Sequence, residues 1–110
     1  MKVAEVQKME PGTPLWFVDF DPTRHGTIAR VVPVTVAVSE HDLKTRSAYR
    51  YYTYNGRECR QAVKARHCYR TKAEAERELI DTVTARRDAL TAILRELKRT
   101  ANQTAAAAQG

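Results

Sequence analysis

Residues 49–63 read Tyr49-Arg50-Tyr51-Tyr52-Thr53-Tyr54-Asn55-Gly56-Arg57-Glu58-Cys59-Arg60-Gln61-Ala62-Val63. Six residues of high β-propensity run directly into Asn-Gly. That dipeptide selects a two-residue type I′ turn, because both central positions need positive φ. A second β-prone run follows, so the stretch predicts an antiparallel hairpin. The turn fixes its register: Tyr54 faces Arg57, Tyr52 faces Cys59, Arg50 faces Gln61 and Ala48 faces Val63. On the opposite face Thr53 meets Glu58, Tyr51 meets Arg60 and Tyr49 meets Ala62. Ala48, Cys59 and Val63 mark the first set as inward, which leaves Tyr49, Tyr51, Arg60 and Lys64 outward. A one-residue slip would reverse the assignment.

Working upstream, Thr27 to Ser39 alternates in the manner of a strand. Ile28, Val32, Val34, Val36 and Val38 share one face, with Arg30 as the exception. Pro33 lacks a ladder donor, so it marks an edge or bulge and a sharp bend. Leu15–Phe20 is short, aromatic and β-branched, and is read as the first strand, with Trp16 in the core. Residues 21–26 and 40–47 are read as loops. Residues 1–13 show no period and end at the turn signal Pro11-Gly12.

Working downstream, Ala65–Arg70 is read as a last short strand. Thr71-Lys72-Ala73-Glu74 fits a capping box, and acids early with bases late suit the helix dipole. Ile80, Val83, Leu90, Leu94 and Leu97 recur at spacings of three and four, Arg87 interrupts, and Leu79 and Ile93 widen the stripe. The expected organisation is an N-terminal segment at 1–13, a small β-barrel at 14–70, a helix at 71–100 and a disordered tail at 101–110. The fold class is α+β: a small, mostly antiparallel, SH3-like barrel of four or five strands, then one long C-terminal helix.

The chain has 110 residues and a net charge of +6. Lys44, Arg46, Arg50, Arg57, Arg60, Lys64, Arg66, Arg70 and Lys72 lie in one stretch whose only acid is Glu58. Nine bases against one acid give +8 there, more than the whole chain carries, so the remainder is slightly acidic. Concentrated positive charge attracts polyanions. All five tyrosines, Tyr49, Tyr51, Tyr52, Tyr54 and Tyr69, interleave with this charge. Aromatic rings beside guanidinium groups on a sheet face stack bases and neutralise phosphates. The expected nucleic-acid-binding residues are Tyr49, Arg50, Tyr51, Arg57, Arg60, Lys64, Arg66 and Arg70, with the stacking carried mainly by Tyr49 and Tyr51.

No nucleophile elbow, phosphate loop, dinucleotide fingerprint or zinc-protease motif is present. His25, His41 and His67 stand far apart in sequence. Cys59, His67 and Cys68, with His25 or His41 as a fourth ligand, match no common zinc spacing. Asp19 and Asp21, with Glu40 or Asp42, are read as loop caps rather than a cation site. No catalysis, metal or cofactor is expected.

No apolar run reaches the ~20 residues of a membrane span. Met1–Glu5 lacks a signal peptide's apolar segment. The expectation is a cytoplasmic protein with reduced thiols.

A 28-residue helix measures about 42 Å, longer than the ~25–30 Å expected across the preceding body. Its distal half therefore projects, bends back near residues 82–87, or finds a partner. Self-association through residues 83–97, with Leu90, Ile93, Leu94 and Leu97 at its centre, is the expectation.

Pro14-Leu15-Trp16-Phe17-Val18, the long bent strand, the Tyr-rich hairpin and Cys68-Tyr69-Arg70-Thr71-Lys72-Ala73-Glu74-Ala75-Glu76 resemble small SH3-like barrel proteins with a C-terminal helix encoded by phages and mobile elements. The resemblance covers residues 14 to about 85. It implies binding to nucleic acid or to another protein, and it carries over no site residues. Two functions compete: a nucleic-acid-binding module, and a phage or mobile-element accessory protein that regulates or inhibits a host protein.

Overall fold

The computed structural model describes residues 1–22, 28–40 and 42–109. Its elements are α1 (Val3–Gln7), β1 (Pro14–Asp21), β2 (Ile28–Val38), β3 (Arg46–Tyr54), β4 (Arg57–Val63), a 3₁₀ turn (Ala65–His67), β5 (Cys68–Tyr69) and α2 (Lys72–Gln109). The fold is α+β, with five antiparallel strands in the order β4-β3-β2-β1-β5. Two compact units divide the chain at Leu79.

The sheet is open. Its order puts β4 and β5 at opposite edges, and no ladder joins them among the described residues. The expected closed barrel is thus replaced by an open sheet. The reason is the length of β5, whose two residues pair only with Phe17 and Trp16 of β1.

β2 serves two ladders in turn. Residues 28–35 pair with β1, and residues 35–38 pair with β3, so the hand-over falls at Thr35. Pro33 is exposed and sits where β2 has only β1 beside it, so its missing N–H costs the ladder nothing. Arg30, the odd residue in the alternation, stands opposite Asp19 in the register, and its Nε donates to that carboxylate at 3.3 Å.

Val6, Met9, Leu15, Val34, Val36, Ala48 and Cys68 form the core. Each such Val or Leu buried contributes about 1.5–3 kcal/mol before entropy is charged. Val6 and Met9 come from the N-terminal segment, which showed no period because a five-residue helix is too short to display one. α1 packs on β3, and Arg46 Nη1 donates to the Met9 carbonyl at 2.6 Å. Trp16 is only half-buried, with the Lys72 ammonium 5.6 Å from its ring centre.

Two further expectations are corrected. Ala65–Arg70 is not a continuous strand, since a 3₁₀ turn takes its first half. Helix α2 does not end at residue 100 in a disordered tail but continues to Gln109. Ala105–Ala108 carries the residue of highest helix propensity, with no glycine or proline before Gly110 to stop it. The helix start is as read: the Thr71 hydroxyl accepts the Glu74 N–H at 3.2 Å and donates to the Glu74 carboxylate at 3.0 Å. The helix runs unbroken through residues 82–87. Among the described residues no helix is long and apolar enough to cross a membrane.

Candidate nucleic-acid interface

The hairpin has the register that Asn55-Gly56 dictates, from Tyr54 opposite Arg57 to Ala48 opposite Val63. Asn55 takes φ 50° and Gly56 φ 75°, the positive values a type I′ turn requires.

Its surroundings differ from the inward and outward faces expected. β2 pairs with β3 only up to Tyr49. From Arg50 onward β3 has β4 alone, and residues 50–60 form a two-stranded ribbon in which residues 51–58 are exposed on both faces. Tyr51, Tyr52 and Tyr54 are 53%, 44% and 66% exposed, whereas Tyr49 is 5% exposed. Tyr49 is therefore not a stacking platform. It lies in the three-strand part of the sheet, under the Arg60 guanidinium at 4.2 Å from its ring centre. Tyr52 and Tyr54, assigned inward by sequence, share an open face with Arg57.

The basic stretch sorts into tied and free groups. Arg46 holds the Met9 carbonyl. Arg50 Nη1 lies 3.4 Å from Asp19 Oδ2, which also receives Arg30. Asp19 is thus spent on two guanidiniums rather than left as a cation ligand. Arg60 Nε donates to Glu40 Oε1 at 2.9 Å, and this hydrogen bond holds Arg60 above its ordinary pKa. Arg66 donates to His67 Nε2 at 3.3 Å. Lys72 approaches Glu76 at 3.8 Å.

Among the described residues, the side chains of Lys44, Arg57, Lys64 and Arg70 make no ion pair, and all four are exposed. Arg57 opens edge strand β4 and Lys64 follows its last residue. They stand seven positions apart, about 23 Å at ~3.3 Å per residue. With Arg66 in the following turn they form a track rather than a compact patch.

Of the expected binding residues, then, Tyr51, Arg57, Lys64 and Arg70 are available at the surface, and Arg66 is exposed with one nitrogen held by His67. Tyr49, Arg50 and Arg60 are committed to the protein itself. Tyr52 and Tyr54 were missed. The only available signal was the length of β2 beyond Pro33, which limits how far β3 is covered.

Two hollows adjoin the hairpin base. One, of about 360 Å³, is floored by Val3, Val6, Ala48, Val63 and Ala65 and rimmed by Arg46, Lys64 and Arg66. The other, of about 230 Å³, is polar and includes Asp19, Arg50, Gln61 and His67. Partial desolvation holds His67 below its ordinary pKa, with Arg66 and Lys64 acting in the same sense. The His67 ring meets Phe17 edge-on at 6.3 Å.

Cys59 and Cys68 are free thiols. Burial pushes the Cys68 thiol up to about 11, which keeps it protonated and unreactive at neutral pH. Among the described residues no three His, Cys, Asp or Glu side chains are grouped to hold a metal. His25 and His41, the remaining members of the zinc reading, lie outside the described residues. No family model, curated protein or solved structure matches this chain.

Proposed function

We propose that the protein is a non-catalytic nucleic-acid-binding module acting through the ribbon of residues 50–60 and the cations along β4. Tyr52 and Tyr54 stack bases, Tyr51 adds a ring on the opposite face, and Arg57, Lys64, Arg66 and Arg70 meet phosphates. The observation that carries this reading is the two-stranded ribbon itself, with three exposed tyrosines beside an unpaired Arg57. Aromatic rings exposed at such a ribbon gain no stability from the core, and base stacking is a use that suits them. Each stacked base contributes on the order of 1–3 kcal/mol.

The hand-over of β2 at Thr35 lets five strands curl over one core, which supports reading the sheet as an opened SH3-like barrel. The free thiols suit a reducing, cytoplasmic setting.

The test is a fluorescence-anisotropy titration of a labelled single-stranded oligonucleotide at low salt, with a duplex alongside. Binding that weakens when Tyr52 and Tyr54 become alanine supports the reading. Binding unchanged in that variant excludes stacking by these rings.

One observation favours the second reading, a regulator that docks on another protein. The 360 Å³ hollow combines an apolar floor with three cations, a combination suited to an acidic segment bearing an apolar anchor. Retention of such a peptide, with no affinity for any oligonucleotide, would decide for that reading.

A further inference from the structure

Within residues 80–97 large apolar residues stand at 80, 83, 90, 94 and 97, with Arg87 at the gap and Ile93 beside Leu94. The spacing alternates three and four without a break, which is the seam of a coiled coil rather than the broad stripe of a helix packed on a sheet. Ile80, Val83, Leu90, Ile93, Leu94 and Leu97 are 40–65% exposed. We propose that this seam is covered by a second copy of the chain, antiparallel, with Leu90 against Leu94 of the other copy, Ala92 at the centre and the two Ile93 side chains flanking it.

Charge decides the orientation. In a parallel, in-register pair each seam residue meets its own equivalent, so Arg87 faces Arg87. Arg86 flanks the same layer from both chains. Four guanidiniums would gather where water is being expelled, and Asp88, which pairs with Arg87 at 3.3 Å within one chain, points outward from the seam. The antiparallel pair places Arg87 opposite Leu97 and sets the two Arg87 residues ten residues apart along the axis. That is about 15 Å, beyond the ~8 Å screening length at physiological salt.

Size decides the register. With Ala92 on the dyad, the layers are Leu90 with Leu94, twice over. Ile80 and Val83 then meet Thr104 and Ala101, small residues that belong to the helix because it continues to Gln109. A register centred between residues 88 and 89 would place Arg87 opposite Leu90 and bring the two copies of Arg87 to within one helical turn of each other. Six half-exposed aliphatic side chains hide roughly 60–120 Å² each. Two copies bury about 700–1,400 Å², which reaches the ~1,200 Å² where standard interfaces begin. The pair is therefore expected to form at micromolar concentration.

The experiment uses the full chain with Cys59→Ser, Cys68 being buried and unreactive. Ile93→Cys and Leu97→Cys are oxidised separately at micromolar protein. Ile93→Cys is expected to give a covalent dimer, because Ile93 flanks the seam beside Leu94: an antiparallel pair puts the two copies of it on the same flank, close to the dyad, whereas a parallel pair puts them on opposite flanks. Leu97→Cys is expected to stay monomeric on a denaturing gel. Crosslinking of Leu97→Cys with none at Ile93→Cys would establish a parallel pair and overturn the proposal. So would sedimentation of the unaltered chain as a monomer at concentrations well above that of the crosslinking experiment. Leu94→Asp, on an exposed helical surface, is expected to weaken self-association at least tenfold while leaving helix content unchanged. Sedimentation unchanged by it would also count against the seam.

Discussion

Arg46–Tyr49 and Arg50–Tyr54 are consecutive halves of β3, both rich in tyrosine and arginine. In the first half β2 lies alongside throughout and β4 from Ala48 onward, α1 packs against the strand, and Ala48 and Tyr49 are buried on opposite faces. In the second half β2 has left β3 and pairs with β1 alone, and Tyr51, Tyr52 and Tyr54 all meet water. The residue types barely change; the number of neighbouring strands does. Alternation tells which residues share a face, but the extent of the sheet tells whether that face is covered.

The largest effect expected from this contrast is on stability. Tyr49→Ala removes a buried ring and leaves Arg60 without its platform, at a cost of roughly 3 kcal/mol. Tyr54→Ala, five residues along the same strand, is expected to stay within about 0.5 kcal/mol. Urea unfolding of the two variants checks the pair, and equal losses would break the comparison.

A second contrast separates tied from free cations. Arg57→Ala is expected to lower the slope of log affinity against log salt by about 0.7 on a single strand, the share of one phosphate contact. Arg60→Ala is expected to leave that slope unchanged, because Glu40 already neutralises the guanidinium. It removes a solvent-screened ion pair and costs little stability. A slope that falls equally in both variants would show that Arg60 exchanges Glu40 for phosphate.

The smallest effect concerns pH at the hairpin base. The folded state holds His67 below its ordinary value of 6.5, through partial desolvation and then Arg66 and Lys64. Above pH 6.5 the imidazole is neutral in both states, and its contribution is fully present. As pH falls below 6.5 the unfolded chain takes up the proton first, so stability declines until the folded value is passed. His67→Gln should flatten that part of the stability profile. An imidazole resonance titrating at or above 6.5 would contradict the assignment.

Much of the hairpin was legible because its information is local. Asn55-Gly56 sets seven residue pairs by itself, and Thr71 with Glu74 sets the helix start. The alternation from Ile28 to Val38 likewise named Val34 and Val36, both of which are buried. What could not be read was distributed over distance. Arg50 finds Asp19 across 31 positions and Arg60 finds Glu40 across 20, so a tally of net charge overstated what the hairpin can offer a polyanion. The inward assignment of Tyr52 and Tyr54 failed for the same reason, since the point where β2 turns away is written near Pro33 and Thr35. The helix end was misjudged because a low-complexity alanine run reads as a tail while alanine itself favours the helix.

The central claim is that the exposed ribbon binds nucleic acid by stacking on Tyr52 and Tyr54. Its most direct test is the anisotropy titration of a labelled single-stranded oligonucleotide with the unaltered chain and the Tyr52→Ala, Tyr54→Ala double variant at low salt. Stacking predicts saturable binding by the unaltered chain and a loss of at least tenfold in the variant, consistent with about 1–3 kcal/mol per stacked base. No binding by the unaltered chain, or equal binding by both, would contradict it.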